Sequence, residues 1–239
     1  MNKRVLFCIG LMALLVSSCT VGSRRVITEN REVSGFDRVD FSTVGELTIT
    51  QGERESLTIE AESNVMRRIR AEVRGGTLHI DMKSGFPWIW SIVPTKPMKY
   101  DLTVRELSDL DLSGVGSIYA AGIEADRLNL GMTGAGQIVI RSLSADALEV
   151  EHTGVGRCEL SGQVRRQDII LTGAGDYDAA DLESERAEVT VTGLGKATVW
   201  ATEDLDVVLT GAGQVSYYGH PSVSQEVTGL GKVESLGSR

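Results

Sequence analysis

One four-residue phrase, Ser/Thr-Gly-x-Gly with a small or aliphatic third residue, occurs seven times and restricts what this chain can become. It starts at Ser113, Thr133, Thr153, Thr172, Thr192, Thr210 and Thr228, at intervals of 20, 20, 19, 20, 18 and 18 residues. A unit of that length is too short to hold a core of its own, so it buries its apolar faces only by stacking on its neighbours. The expected fold is an all-β solenoid with coils of about 20 residues.

Aligning the coils on the phrase produces columns. Leu112, Met132, His152, Leu171, Val191, Leu209 and Val227 precede it by one residue, and Leu110, Leu130, Val150, Ile169, Val189, Val207 and Gln225 by three. Ile118, Ile138, Cys158, Tyr177, Ala197, Val215 and Val233 follow its Ser/Thr by five. Alternation by two on both sides of a turn places these columns inward, on rungs about 4.8 Å apart. Between the glycines, large and small residues alternate without exception: Val115, Ala135, Val155, Ala174, Leu194, Ala212, Leu230. A bulky side chain stacked on an alanine at every step predicts layers that interdigitate without voids. This fits a 20-residue coil and leaves open a 40-residue coil with the two phrase types on opposite sides. Glycine at each corner supplies positive φ or close backbone approach. The Ser/Thr column is expected to stack outward as a hydroxyl ladder. A phosphate cradle is excluded, because such a loop occurs once and opens a helix.

Upstream, short runs alternate with period two: Val39 and Phe41, Leu47 and Ile49, Leu57, Ile59 and Ala61, Leu78 and Ile80. These read as strands, with Arg74-Gly75-Gly76-Thr77 as a hairpin turn. Asn64 to Ala71 is expected to hold one helical turn with Val65, Met66 and Ile69 inward. The rhythm breaks at residues 84–98, which carry three of the four prolines and two of the three tryptophans. A loop of that length is either functional or packed down. Phe86, Trp88, Ile89 and Trp90 are therefore a candidate binding patch for a glycan, a protein or a membrane interface, the alternative being a cap on the apolar end of the stack.

Val33-Ser34-Gly35-Phe36, Thr48-Ile49-Thr50-Gln51-Gly52, the Gly75-Gly76-Thr77-Leu78 hairpin and the serial Thr-Gly-x-Gly together resemble the head GIN domain family of auto-transporter adhesins. The resemblance covers roughly residues 33–236. It implies a single-stranded right-handed parallel β-helix, with irregular coils over residues 33–104 and regular ones over 105–236. It brings no catalytic residues with it.

The N-terminus carries Lys3 and Arg4, then a mostly apolar run from Val5 to Val16, then Ser17-Ser18-Cys19. Such a segment is an export signal too short to span a bilayer comfortably. Small residues directly before a cysteine resemble a bacterial lipoprotein signal, the alternative being an ordinary signal cut nearby. The resemblance implies removal of residues 1–18 and a diacylated Cys19. The chain would then be lipid-anchored in the cell envelope, on the periplasmic or surface face of the outer membrane, with residues 19–32 as a polar tether. Residues 19–239 hold 22 basic and 33 acidic residues, an acidity that excludes nucleic acid as a partner. The sequence shows no polybasic run and no second apolar span, so membrane attachment is assigned to the lipid on Cys19 alone. Cys8 leaves with the signal, and Cys158 is left without a disulfide partner.

The chemistry that short glycine-rich repeats sometimes carry is missing. A calcium roll needs an aspartate in every turn, and the position after each phrase holds Ser117, Gln137, Arg157, Asp176, Lys196, Gln214 and Lys232. That column instead predicts an exposed ion-pair ladder through Arg157, Asp176 and Lys196. His152 and Cys158 flank one corner on inward columns, where a substrate has no access. Asp176, Asp178, Asp181, Glu183 and Glu203 form a candidate acidic face, with Glu183 and Glu203 expected at equivalent places in successive coils. Such a pair would share a divalent cation or act on a polysaccharide; the bland reading is a solvated face. No cofactor is implied. The reading reached is a non-enzymatic, envelope-anchored scaffold or adhesin-like module for glycan or protein. A polysaccharide-active enzyme, or a structural protein self-associating into homo-oligomers through the solenoid ends, are the alternatives.

Overall fold

Residues one coil apart in sequence lie side by side. A computed structural model describes residues 20–83 and 92–239. In it Ile118, Ile138, Cys158, Tyr177, Ala197, Val215 and Val233 are successive parallel register partners. The coil is thus about 20 residues, not 40, and the chain is a β-solenoid of about 6 turns. The strands run β1 (Thr20–Val21), β2 (Val26–Arg31), β3 (Arg38–Ser42), β4 (Val44–Gln51) and β5 (Ser56–Glu62). A short helix α1 (Ser63–Met66) follows, then β6 (Ile69–Arg74), β7 (Thr77–Met82), β8 (Ile92–Val93) and β9 (Lys99–Val104). The regular stack comprises β10 (Asp109–Leu112), β11 (Val115–Ala120), β12 (Ile123–Met132), β13 (Ala135–His152) and β14 (Val155–Gly173). It continues through β15 (Asp176–Gly193), β16 (Lys196–Gly211), β17 (Gln214–Tyr218), β18 (Ser222–Gly229) and β19 (Lys232–Gly237).

Through Leu209, Val207 and Val215 the three predicted columns face the interior, which is one continuous apolar core from Val33 to Val215; in the last coil Gln225 and Val227 are exposed and Val233 is partly buried. Three of the polar groups inside it are paired in a chain. The buried Tyr177 hydroxyl donates to Gln167 Oε1 (2.9 Å), Gln167 Nε2 donates to Ser184 Oγ (2.8 Å), and Ser184 Oγ donates to the Trp200 carbonyl (2.8 Å). Each group is satisfied, so burying it carries little penalty.

The glycine corners work mainly through close approach. A Cβ on Gly134 or Gly136 would sit 1.9 or 1.8 Å from the carbonyl oxygen of Gly114 or Gly116 in the coil before. In the later phrases the first glycine also adopts positive φ, 112° at Gly173 and 118° at Gly211. The residue between the glycines behaves differently from expectation. Val115 and Ala135 are register partners, as are Ala135 and Val155, but their side chains point outward. Val115, Val155 and Leu194 are 58%, 66% and 65% exposed. The alternation therefore shapes an external ridge and not the meshing of inner layers. With period two along the strand, a residue two after an outward Ser/Thr must itself face outward.

The N-terminal end is closed by antiparallel pairs: β2 with β5, β5 with β9, and β6 with β7. Gly75 and Gly76 take φ of 57° and 81°, the left-handed pair that a two-residue hairpin turn demands. Val65, Met66 and Ile69 are buried as expected, although Ile69 already belongs to β6. The polar stretch expected to be a tether is largely folded. β2 lies along β5, and β1 runs parallel to β8. Backbone pairing to a strand edge needs little hydrophobicity, which is why composition alone hid it. Glu62 fixes this segment. Its carboxylate, 1% exposed, accepts the Thr95 hydroxyl (2.7 Å) and the backbone N–H groups of Thr95 (2.7 Å), Arg24 (2.6 Å) and Lys96 (3.4 Å).

Gly136→Ala should destabilise the fold by about 1–3 kcal/mol, because the clash is with backbone and cannot be relieved by a rotamer. Val155→Ala, on the outer ridge, should change it by less than about 0.5 kcal/mol; chemical denaturation of both variants checks the pair. The Thr95 hydroxyl, followed by the N–H groups, holds the Glu62 carboxyl at about 2, below its usual 4.5. The stabilisation is present above pH 4.5 and is lost as pH falls towards 2. Glu62→Gln should lower the thermal midpoint near neutrality and flatten its decline over that acid interval.

Candidate functional site

Midway in sequence between successive phrases, each coil turns a second corner, and the stacked corners form a groove. Glu124, Asp126, Arg127, Ser144, Asp146, Gln163, Arg165 and Glu185 line it over a floor that includes Ala125, Ala145 and Val164, enclosing about 760 Å³. A second concavity of about 630 Å³ shares Asp126, Arg127, Asp146, Arg165 and Glu185 and extends to Arg166 and Arg186. The register explains the lining. Ser144 pairs with Gln163, Ala145 with Val164, and Ala147 with Arg166. Small residues at the bend keep the floor low, while long polar side chains rise on either side. Arg165 Nε donates to Asp146 Oδ1 (2.9 Å) and Arg127 Nη1 to Glu149 Oε1 (3.2 Å). These bonds join neighbouring coils and leave the rest of each guanidinium free to donate. The groove thus presents donors and acceptors from successive coils whose rungs are about 4.8 Å apart.

The five acids proposed from sequence do not form one site. Asp176 Oδ2 accepts from Arg157 Nη2 at 3.3 Å, and Asp178 Oδ1 accepts the Ala180 N–H at 3.4 Å. Asp181 is ion-paired with Arg239, whose guanidinium lies 5.2 Å from the Tyr218 ring centre. Glu203 approaches Arg186 at 3.8 Å. The expected equivalence of Glu183 and Glu203 is wrong: Glu183 pairs with Trp200, and the register shifts again between Ser184 and Arg186. Those irregularities follow from unequal coil lengths, which an alignment on the phrase cannot locate. Among the described residues no group of three or more His, Cys, Asp or Glu side chains is placed to hold a metal ion. The Arg157, Asp176 and Lys196 column is in register, although the ion pair forms only between the first two. Cys19, Phe86, Trp88, Ile89 and Trp90 lie outside the described residues.

A longer acidic feature runs along another face. Asp109, Asn129, Glu149, Asp168, Glu188 and Asp206 are successive register partners. Each lies four residues before its phrase, so the alignment that revealed the apolar columns contained this one too. Beside it, burial and then the charges of Asp40, Asp109 and Glu151 push the Asp111 carboxyl above its usual range.

His152 and Cys158 sit inward as their columns require, each 1% exposed. Burial pushes the Cys158 thiol up to about 12, so it is not a thiolate at neutral pH. Burial also lowers the His152 pKa, against a smaller opposing pull from Asp176, and neither ring nitrogen has a hydrogen-bond partner. The ring packs against Gly175, where a Cβ would lie 2.3 Å from Cε1. This pair is packing and not a nucleophile with its base. With a folded pKa below 6.5, His152 withholds stability as pH falls below the unfolded value and has no such effect above it. His152→Leu, matching Leu112 and Leu171 in its column, should raise stability by about 1 kcal/mol at neutral pH. It should also remove part of the loss seen below pH 6.5; denaturation at several pH values measures both.

The same architecture occurs in solved structures. A crystal structure of a putative adhesin from Bacteroides fragilis matches with a TM-score of 0.85 and 28% identity, over 90% of this chain and 99% of that one. A putative lipid binding protein from Parabacteroides distasonis matches at 0.73 and 24%, over 90% and 98%. A putative adhesin from Parabacteroides merdae matches at 0.72 and 20%, over 91% and 98%, and both of these establish the fold alone. No curated protein matches the sequence. Residues 35–221 match the family described as putative auto-transporter adhesin, head GIN domain. That span takes in β3 to β17, six of the seven glycine phrases and the groove, and the chain belongs to this head GIN domain family.

Proposed function

We propose that the chain is a non-enzymatic, adhesin-like module held at the cell envelope through lipid on Cys19, and that a hydroxyl-rich ligand, a glycan strand, lies along the coil-corner groove. The observation that carries this reading is the groove itself. Its walls carry arginines and carboxylates contributed by successive coils, and the small Ala125 and Ala145 line it between them. Guanidinium donors and carboxylate acceptors a few ångströms apart suit hydroxyl groups, which both donate and accept. An extended ligand would follow the stack and gain a similar set of bonds at each rung. The adhesin description of the family and of the Bacteroides fragilis relative supports a binding role. The segment from Lys3 to Cys19 supports the envelope.

A second location is the aromatic run from Phe86 to Trp90, and one experiment separates the two. On a glycan array, Arg127→Ala with Arg165→Ala should lower binding by at least about tenfold, from the lost charged hydrogen bonds. Trp88→Ala with Trp90→Ala should leave it unchanged. The opposite result moves the ligand to the aromatic segment, and an array without any signal sinks the glycan reading.

A further inference from the structure

The end of the solenoid that holds β1 is rich in basic residues, although the chain is acidic. Residues 20–25, 62–70, 81–83 and 92–99 hold eight basic and two acidic residues, while the whole chain holds 24 and 33. Hydrogen bonds gather these separated segments. Arg24 and Lys96 donate their N–H groups to the same Glu62 carboxylate. The Ser63 N–H donates to the Arg25 carbonyl (2.8 Å), and the Lys83 N–H to the Arg68 carbonyl (2.8 Å). Arg24, Arg25, Arg67, Arg68, Lys83 and Lys96 are thereby drawn onto one end. Arg68 is half-buried and the other five are exposed. Of the two acids, Glu62 is enclosed and Asp81 is paired with Arg70. Among the described residues none of the six cations is in an ion pair.

The location of this end indicates what meets it. Thr20, the residue after Cys19, opens β1, and β1 pairs with β8 at the same end. A small anion would engage one or two of six cations spread over the end of a stack, whereas a plane of negative charge engages all of them. We propose that this end seats on the anionic headgroups of the membrane that holds the lipid of Cys19, with the acidic coils projecting away. The inference rests on the lipid-anchor reading above. It adds a protein contact beside the acyl chains of Cys19, and it sets the orientation of the groove relative to the membrane.

The test uses unlipidated residues 20–239, which contain every described strand and hydrogen bond, with vesicles of phosphatidylcholine alone or with about one-third phosphatidylglycerol. Binding is expected to the anionic vesicles only and to weaken with added salt. Neutralising Arg67, Arg68 and Lys96 to Gln should lower the partition coefficient on the order of 100-fold. Arg24→Gln with Arg25→Gln and Lys83→Gln should do the same, which guards against a folding defect in the first variant. Arg157→Gln with Lys196→Gln and Lys232→Gln makes the same change in net charge elsewhere and should have little effect. Equal loss in all three variants, or equal binding to both vesicles, overturns the proposal. Binding to soluble heparin as tight as to vesicles overturns it as well, since the end would then read any polyanion. The mass of the N-terminal peptide of the full chain from bacterial membranes tests lipidation separately. An unacylated chain whose residues 20–239 still bind anionic vesicles fails the anchor alone, and an acylated chain whose end variants bind normally fails this inference alone.

Discussion

Everything in this fold depends on bringing the backbone of one coil within hydrogen-bonding distance of the next all the way around, including the corners. Strands do this by their own pleat, but a corner carries side chains in the way. At Gly154 and Gly156 a Cβ would stand 2.0 and 2.1 Å from the preceding coil's carbonyl oxygens, so only a bare Cα lets the ladder close. Once the corners close, the inner columns fall on top of one another, and Leu, Ile and Val stack at a spacing that suits them. The Gln167, Ser184 and Tyr177 chain exists because the same spacing brings their polar atoms within reach of one another and of the Trp200 carbonyl.

The corners are of two kinds. In the first three phrases a strand starts at the third residue, at Val115, Ala135 and Val155; in the later ones it runs on through Thr-Gly and restarts at Asp176, Lys196 and Gln214. The changeover falls between Thr153 and Thr172, where the interval drops to 19 residues. His152 occupies this step in a column otherwise filled by Leu, Met and Val, and its ring takes the space over Gly175. Cys158, small and buried, is followed on the next rung by the large Tyr177 and then by Ala197. Large and small therefore do mesh, but inside the coil and around the changeover, while the Val and Ala alternation between the glycines faces water.

Much of this was legible in the sequence because period and burial are local properties: the phrase located the coils, and the columns located the core from Leu110 to Val215. The hairpin at Gly75-Gly76 and the turn at Val65-Met66 were readable for the same reason. What was hidden depends on length differences and on distance in sequence. The bulges after Asp178 and Ser184 separate Glu183 from Glu203, and no pattern in either residue announces them. The groove is assembled from the least repetitive part of each coil. The basic end draws cations one or two at a time from segments up to about 70 residues apart, so no long run of charge appears in the sequence. β2 has no apolar signature, because a strand that pairs through its backbone on an edge needs few apolar residues. The acidic column through Glu149 and Asp206 is a different case: it was present in the alignment, on the outward positions.

The ladders between coils also determine how the molecule bears force. β13 and β14 are paired from Ala135 and Val155 to His152 and Leu171, with one register shift between Ile140 and Leu143, and these bonds point along the stack. A tug distributed along the groove loads many of them at once, so a coil interface must part as a whole. A tug on the last strand reaches them singly, and the coils strip off in turn. The same bonds make the solenoid stiff against a load carried on its side and weak against one applied to its final strand, so where a ligand grips the shaft decides how long the shaft survives the pull.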